Sequence, residues 1–178
     1  MNRMSRESVT SLYDLVMLPS TVDGLDARLI RALSATPRIG ILELARQLGV
    51  ARGTAQARLD KLLRRGVITG FGPELALRAL GYDVTAFTTL EIAQGRLADV
   101  VEHLRDIPEV LEAHAISGPG DLHCRVVART NEHLQQVINR MLEVAGIDRT
   151  TTVIALSEQV PYRVLPLVAE AARSADGG

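Results

Sequence analysis

Five cationic side chains, Arg52, Arg58, Lys61, Arg64 and Arg65, fall between positions 52 and 65, with Thr54 and Gln56 set among them. Those residue types suit two kinds of contact with duplex DNA. Arginine can fork onto guanine and glutamine onto adenine, whereas a cation placed further along a groove grips phosphate, which positions without specifying. A second cluster is the turn Gly118-Pro119-Gly120-Asp121, followed by Leu122 and His123. It lacks the Lys and Ser/Thr of a phosphate loop, and Asp121 is by itself a good turn residue. Of the four histidines, His103 and His133 fall on expected helix surfaces as solvated groups. His114 and His123 flank the glycine turn and can approach across a hairpin, but without a carboxylate or thiolate as third ligand they make no metal site. The chain has no Gly-x-Ser-x-Gly, and its lone Cys124 has no histidine at a catalytic spacing. No catalytic residue, metal or cofactor is therefore expected.

The basic cluster needs a helix to present it, and the apolar spacing supplies three. Leu25, Leu29, Ile30 and Leu33 form one stripe, opening near Asp26 and ending before Pro37. Ile41, Leu42, Leu44, Ala45 and Leu48 form a second, closed by Gly49. Arg52 to Arg65 forms the third, burying Ala55, Leu59 and Leu62 and stopped by Gly66. Two short helices joined through Leu48-Gly49-Val50 have the layout of a helix-turn-helix, in which the second enters the major groove by its N-terminus. Arg52, Thr54 and Gln56 are then the candidates for base edges, small Gly53 permits close approach, and Arg58, Lys61, Arg64 and Arg65 fall along the groove wall. Asp60 fits such a face if it pairs with Arg64 one turn on. The turn-bounded stretch Gly66 to Pro73 reads as a β-wing.

The glycine turn needs strands. From Val84 to Ile92 the apolar period becomes two, the mark of a half-buried strand. A helix with Leu97, Val100, Val101 and Leu104 on one face follows, then strands over Val110 to Ser117 and Leu122 to Arg129 on either side of the turn. Asn131 is read as the N-cap of a helix burying Leu134, Val137, Ile138, Met141 and Leu142, and Thr150 to Leu156 as the last strand. The order β-α-β-β-α-β is two β-α-β halves in tandem, the ferredoxin-like arrangement. One sheet face is left without helices, so a homodimer is expected to cover it.

Charge separates the two halves. The chain of 178 residues has 20 basic and 21 acidic side chains, yet residues 25–78 carry +6 and residues 79–178 carry −6. A basic segment beside an acidic one suggests one part that meets a polyanion and one that does other work. No apolar run exceeds four residues, far short of the ~20 that span a bilayer. A soluble, cytoplasmic protein is expected, with no membrane partner. The lone cysteine excludes a disulfide framework, and its apolar neighbours make it a small buried hydrophobe.

The stretches Leu25 to Leu33, Leu44-Ala45-Arg46-Gln47-Leu48-Gly49-Val50, Arg58 to Leu62 and Gly66-Val67-Ile68 resemble the DNA-binding half of the Lrp/AsnC feast/famine regulators. The segment from Val84 to Glu158 is similar to that family's ligand-binding domain, and Ser117-Gly118 to Asp121 stands where the family has its Ser/Thr-Gly-Asp effector loop. Here Pro119 and Gly120 are inserted before the acid, and His123 replaces a second Asp. The resemblance implies an α+β protein with an N-terminal winged helix-turn-helix and a C-terminal ferredoxin-like βαββαβ domain for ligand binding and oligomerisation. It also implies a transcription regulator, not an enzyme, whose partners are double-stranded DNA, an amino-acid effector and its own copies, as a homodimer that assembles further, for instance to an octamer. The effector residues it implies are Gly118, Gly120, Asp121 and His123: backbone N–H groups for the carboxylate, Asp121 for the α-ammonium, and His123 for selectivity or pH dependence.

The expected division is an extension over 1–24, in which Val9, Leu12, Tyr13 and Val16 share one face of a short helix, the reader over 25–78, the effector domain over 79–160 and a partly helical tail over 161–178. The alternative is an enzyme similar to the haem-pathway decarboxylases of the same layout. The +6 segment favours the regulator.

Overall fold

The computed structural model describes residues 22–176, so the expected helix around Val9 to Val16 lies outside the described residues. Two compact units divide them, residues 22–72 with 162–176, and residues 73–161.

The first unit holds α1 (Gly24–Ala35), α2 (Ile41–Leu48), α3 (Arg52–Arg64) and α6 (Leu165–Asp176). Helix α1 starts two residues before the expected Asp26. The Asp23 carboxylate accepts the Asp26 N–H at 2.8 Å, and Asp26 returns the contact to the Asp23 N–H, a reciprocal cap. Gly49 closes α2 with φ +70°, which lets the Val50 N–H reach back to the Ala45 carbonyl at 3.1 Å. Arg28 of α1 donates to the freed Leu48 carbonyl at 2.9 Å, so the first helix caps the second. Leu29, Leu44 and Leu62 are fully buried where the three helices meet.

The partly helical stretch expected over 161–178 holds α6, and its Val168, Ala171 and Ala172 pack on the core with Val22, Ala27 and Leu29, the small alanines letting the helix lie close. One expectation fails in this unit. No strand is found over residues 65–76, so the stretch Gly66 to Pro73 expected as the β-wing has no ladder among the described residues. A strand exists only as half of a ladder, and none of the described strands pairs with it. Val67 and Phe71 are left exposed there.

The second unit is ferredoxin-like. After a short 3₁₀ turn (Leu77–Leu80) come β1 (Val84–Ile92), α4 (Leu97–Arg105), β2 (Val110–Ala115), β3 (Leu122–Ala128), α5 (Asn131–Met141) and β4 (Ile147–Ile154). The sheet order is β2-β3-β1-β4, antiparallel throughout, with Thr88 opposite both Cys124 and Thr152. Alternation along β1 sends Ala86, Thr88 and Leu90 inward. They meet Leu122, Cys124 and Val126 under Val100, Leu104, Leu134, Val137 and Met141 of the two helices. Buried Thr88 satisfies its hydroxyl against that of Thr152 at 3.1 Å. Burial raises the Cys124 thiol to about 11, in keeping with an inert hydrophobe.

Local details depart from expectation here too. Thr130, not Asn131, caps α5, because its hydroxyl accepts the His133 N–H at 3.1 Å. Leu142 lies beyond the last helical turn and, like Leu97, is exposed. His103 and His133 are half-buried and bonded rather than solvated. His103 Nε2 lies 2.7 Å from the Arg140 carbonyl, and His133 Nδ1 accepts the Arg129 N–H at 3.1 Å while Nε2 faces buried Glu109 at 3.3 Å. Among the described residues no helix is long and apolar enough to cross a membrane.

Candidate functional site

Helix α3 starts at Ala51 with no side-chain cap, so its first N–H groups and its first side chains face outward together. Arg52, Gly53, Thr54 and Gln56 are all exposed, while Ala55 and Leu62 on the opposite face are buried. The Gln56 side-chain amide donates to Asp60 at 2.8 Å, one turn along. Asp60 is therefore satisfied by Gln56 and not by the expected Arg64. Arg52, Arg64 and Arg65 make no ion pair among the described residues and stand in solvent.

Arg58 and Lys61 are placed differently. The Arg58 guanidinium bonds the Asp23 carboxylate and lies 3.0 Å from Asp26 Oδ1, and Lys61 Nζ is 3.9 Å from Asp26 Oδ2. Asp26 has 0% of its surface exposed. For Asp23, partial burial works against ionisation, but the hydrogen bonds from Arg58 and from the Asp26 N–H outweigh it and hold the carboxyl below its usual range. The bonds to Asp23 and then Asp26 raise Arg58 above an already high value. The sequence reading named Asp26 only as the helix start and missed Asp23 and the pairing of both acids with Arg58. The one signal of them was the spacing of a cap, acid-x-x-acid, just ahead of an apolar stripe. An open depression lined by Gly53, Thr54, Ala57, Arg58 and Lys61 runs along this flank of α3.

In the second unit Gly120 and Asp121 fold back onto the end of β1, while Gly118, φ +116°, has open space where its Cβ would be. Gly120 has φ +89°, and a Cβ there would lie 2.4 Å from Thr89 Cγ2 and 3.1 Å from the Leu90 carbonyl oxygen, so only glycine fits without a shift. The Asp121 N–H donates to that carbonyl at 2.8 Å. Its carboxylate Oδ2 accepts the Ile92 N–H at 2.6 Å, where the β1–β4 register slips between Glu91 and Ile92. Asp121 thus fastens the turn to β1 by both backbone and side chain.

His123 is not in the turn but in β3, on the sheet face that carries no helices. Its ring stacks on Phe87 with centroids 5.7 Å apart, and Nδ1 is 3.0 Å from the Thr89 hydroxyl. His114 is its register partner on β2, as the hairpin requires. Glu112 completes the row, with His114 Nε2 and Arg125 Nη1 each 3.2 Å away. The His114 contact, then that of Arg125, holds the Glu112 carboxyl below its usual range. Among the described residues no three His, Cys, Asp or Glu side chains converge as a metal site would need.

Two family models match this chain, one of the winged helix-turn-helix DNA-binding type over residues 22–69 and one of the Lrp/AsnC ligand binding domain over residues 85–165. The regulatory protein AsnC of Escherichia coli is 31% identical over 147 residues, covering 82% of this chain and 97% of that one. The solved structure of E. coli AsnC superposes with a TM-score of 0.76 at 30% identity, covering 82% of this chain and 99% of AsnC. A feast or famine regulatory protein from Mycobacterium tuberculosis, solved in complex with L-methionine, superposes at 0.72 with 26% identity, covering 81% and 98%.

Proposed function

The chain belongs to the Lrp/AsnC family of transcription regulators, with a helix-turn-helix and a ligand-binding domain, and from that premise we propose that it is an amino-acid-responsive, sequence-specific switch on duplex DNA in the cytoplasm. Arg52, Thr54 and Gln56 read base edges, Gly53 lets the helix start lie close to the groove, and Lys61, Arg64 and Arg65 grip phosphates. The observation that carries this reading is the uncapped, exposed start of α3, whose arginine at position 52 has no ion-pair partner among the described residues. Gln56 exchanges its bond with Asp60 for one with a base.

The effector site is the turn. Gly118 and Gly120 let backbone N–H groups approach a carboxylate, the Ile92 N–H orients Asp121 through Oδ2, and Oδ1 meets an α-ammonium group. His123 bounds the site from the sheet face. The M. tuberculosis relative's complex with L-methionine supports an amino acid as the ligand class. The face bearing Phe87, His123, Arg125 and exposed Val153 meets a second copy through an isologous contact, and dimers assemble further. An effector that prefers one assembly shifts the spacing of the paired reading helices.

The test is to select genomic duplexes retained by the protein and repeat the selection with each amino acid present. Asp121→Ala is expected to keep DNA binding and lose the amino-acid response, as measured by titration calorimetry. Equal binding of every amino acid by variant and parent would place the effector site elsewhere. Retention of a tetrapyrrole and of no duplex would favour the decarboxylase-like reading.

A further inference from the structure

We propose that Arg58 is a positioning residue, which clamps α3 to the cap of α1 through Asp23 and Asp26 so that Arg52, Thr54 and Gln56 meet base edges, and which itself contacts no DNA. This rests on the reading of α3 given above.

The geometry of the four charged groups carries it. Asp26 is wholly buried at the third position of α1, and a buried carboxylate is tolerated only when paired and hydrogen-bonded. Arg58 and Lys61 are one turn apart on α3, so both face it from a single side of that helix. The same Arg58 Nη1 also takes the Asp23 carboxylate, so one nitrogen bridges both acids of the reciprocal cap. Shared between two carboxylates, the Arg58 guanidinium has its charge and its hydrogen bonds met within the fold and is not drawn to a phosphate, whereas Lys61 meets Asp26 only at 3.9 Å and keeps its ammonium hydrogens for one. Arg52, Arg64 and Arg65, by contrast, have no acid paired with them among the described residues.

Directional contacts are what a reading helix needs. The apolar side of α3 rests on Ala55, Leu59 and Leu62, and apolar burial is non-directional, so it permits the helix to roll. A roll of about 10° on a helix of about 5–6 Å radius moves side-chain tips by about 1 Å, enough to spoil a bidentate hydrogen bond. A guanidinium held between two carboxylates, one of them immobile in the core, resists that roll. Asp26 and Asp23 thus become determinants of base specificity although they lie on the helix that does no reading.

The experiment uses the full chain and two probes, a duplex selected by the parent from a random-sequence library and a scrambled duplex of the same composition. In Arg58→Ala the ratio of affinities for the two is expected to fall about tenfold, the worth of one well-aligned base contact. The salt dependence on both probes stays that of the parent. Arg58→Lys, which keeps the charge but not the rigid planar guanidinium whose Nη1 bridges the two acids, falls between. Asp23→Ser retains an oxygen for the Asp26 N–H while removing one carboxylate from Arg58, and it should lower the ratio about threefold, in the same direction. This milder variant decides the matter should Arg58→Ala fail to fold by circular dichroism.

A salt slope reduced by about 0.9 with an unchanged ratio would make Arg58 a phosphate contact and overturn the proposal. Equal losses on both duplexes, tracking the unfolded fraction, would reduce Arg58 to a stability residue and overturn it too. An unchanged ratio and slope would show that α3 needs no clamp. If the parent itself retains no duplex, the DNA-reading assignment falls, and this proposal falls with it.

Discussion

The start of α3 and the turn between β2 and β3 are both short exposed stretches suited to charged ligands, yet they spend their polar groups in opposite ways. At the start of α3 Arg52 and Thr54 make no side-chain bond among the described residues and Gln56 holds only Asp60 one turn along, while the backbone that carries them is held from a distance by a buried ion cluster. In the turn the backbone and the one acid are committed locally, the Asp121 N–H to Leu90 and its Oδ2 to Ile92. A helix can be set by its far side, because its hydrogen bonds make it a rigid rod that transmits position. A four-residue turn has no such rod, so its shape must be fixed where the ligand sits. The reader should therefore be sensitive to changes remote from its contacts, and the turn to changes within it.

The strongest way to break this comparison is at α6. Ala172→Arg places a charge where 6% of the residue is exposed, against Val22 and Leu29, and is expected to cost the reader about 3 kcal/mol or more. Thermal unfolding followed by circular dichroism should show the first unit melting earlier and the second at its parental temperature. A single shared shift of both would contradict two independent units.

A smaller effect is expected in the turn. Gly120→Ala forces a Cβ against Thr89 and the Leu90 carbonyl at a positive φ and should cost about 2 kcal/mol. At Gly118 an added Cβ meets open space, and only the strain of φ +116° remains, so Gly118→Ala should cost roughly half as much. Urea denaturation of both variants reads the difference, and equal costs would mean the turn is not fixed by its contact with β1.

The smallest expected effect lies in the acid limb of stability. Asp23 in the reader and Glu112 on the sheet both have carboxyls held below their usual range, so the folded state binds fewer protons than the unfolded one. The stability they add is present above the ordinary carboxylate values of 3.8 and 4.5 and is lost as pH falls through the lower folded values. Both are partly exposed, and solvent screening keeps each contribution under about 1 kcal/mol. Asp23→Ser should flatten this acid limb for the reader's transition alone, as seen in melting curves between pH 5 and pH 2. An unchanged limb would remove Asp23 as its source.

Much of the fold was legible from residue types alone, since helix and strand periods are local properties. Leu25 to Leu33, Leu44 to Leu48 and the alternation from Val84 to Ile92 mark their elements because a buried face recurs every 3.6 or 2 residues whatever lies opposite. Gly49 and the Gly118–Asp121 turn were legible for a similar reason, since their backbone demands are met within a few residues. The sequence likewise determined that the third helix bears the positive charge and that His114 faces His123 across the hairpin. What stands opposite an element was decided only in three dimensions. A helical wheel puts Arg58 on a flank of α3 but cannot show that two acids, 32 and 35 positions earlier, wait there. Nothing local in Leu165 to Asp176 says that its alanines will rest on α1. The extended stretch after Gly66 forms no strand here because half a ladder has no hydrogen bonds to define it. Asp121 reads as a turn residue from its type alone, and its hold on Ile92 arises only because the sheet brings the end of β1 alongside, 29 positions away in the chain. Local periodicity is written in side-chain order, whereas ion pairs, helix docking and strand partners depend on which distant surfaces the whole fold brings within a few ångströms.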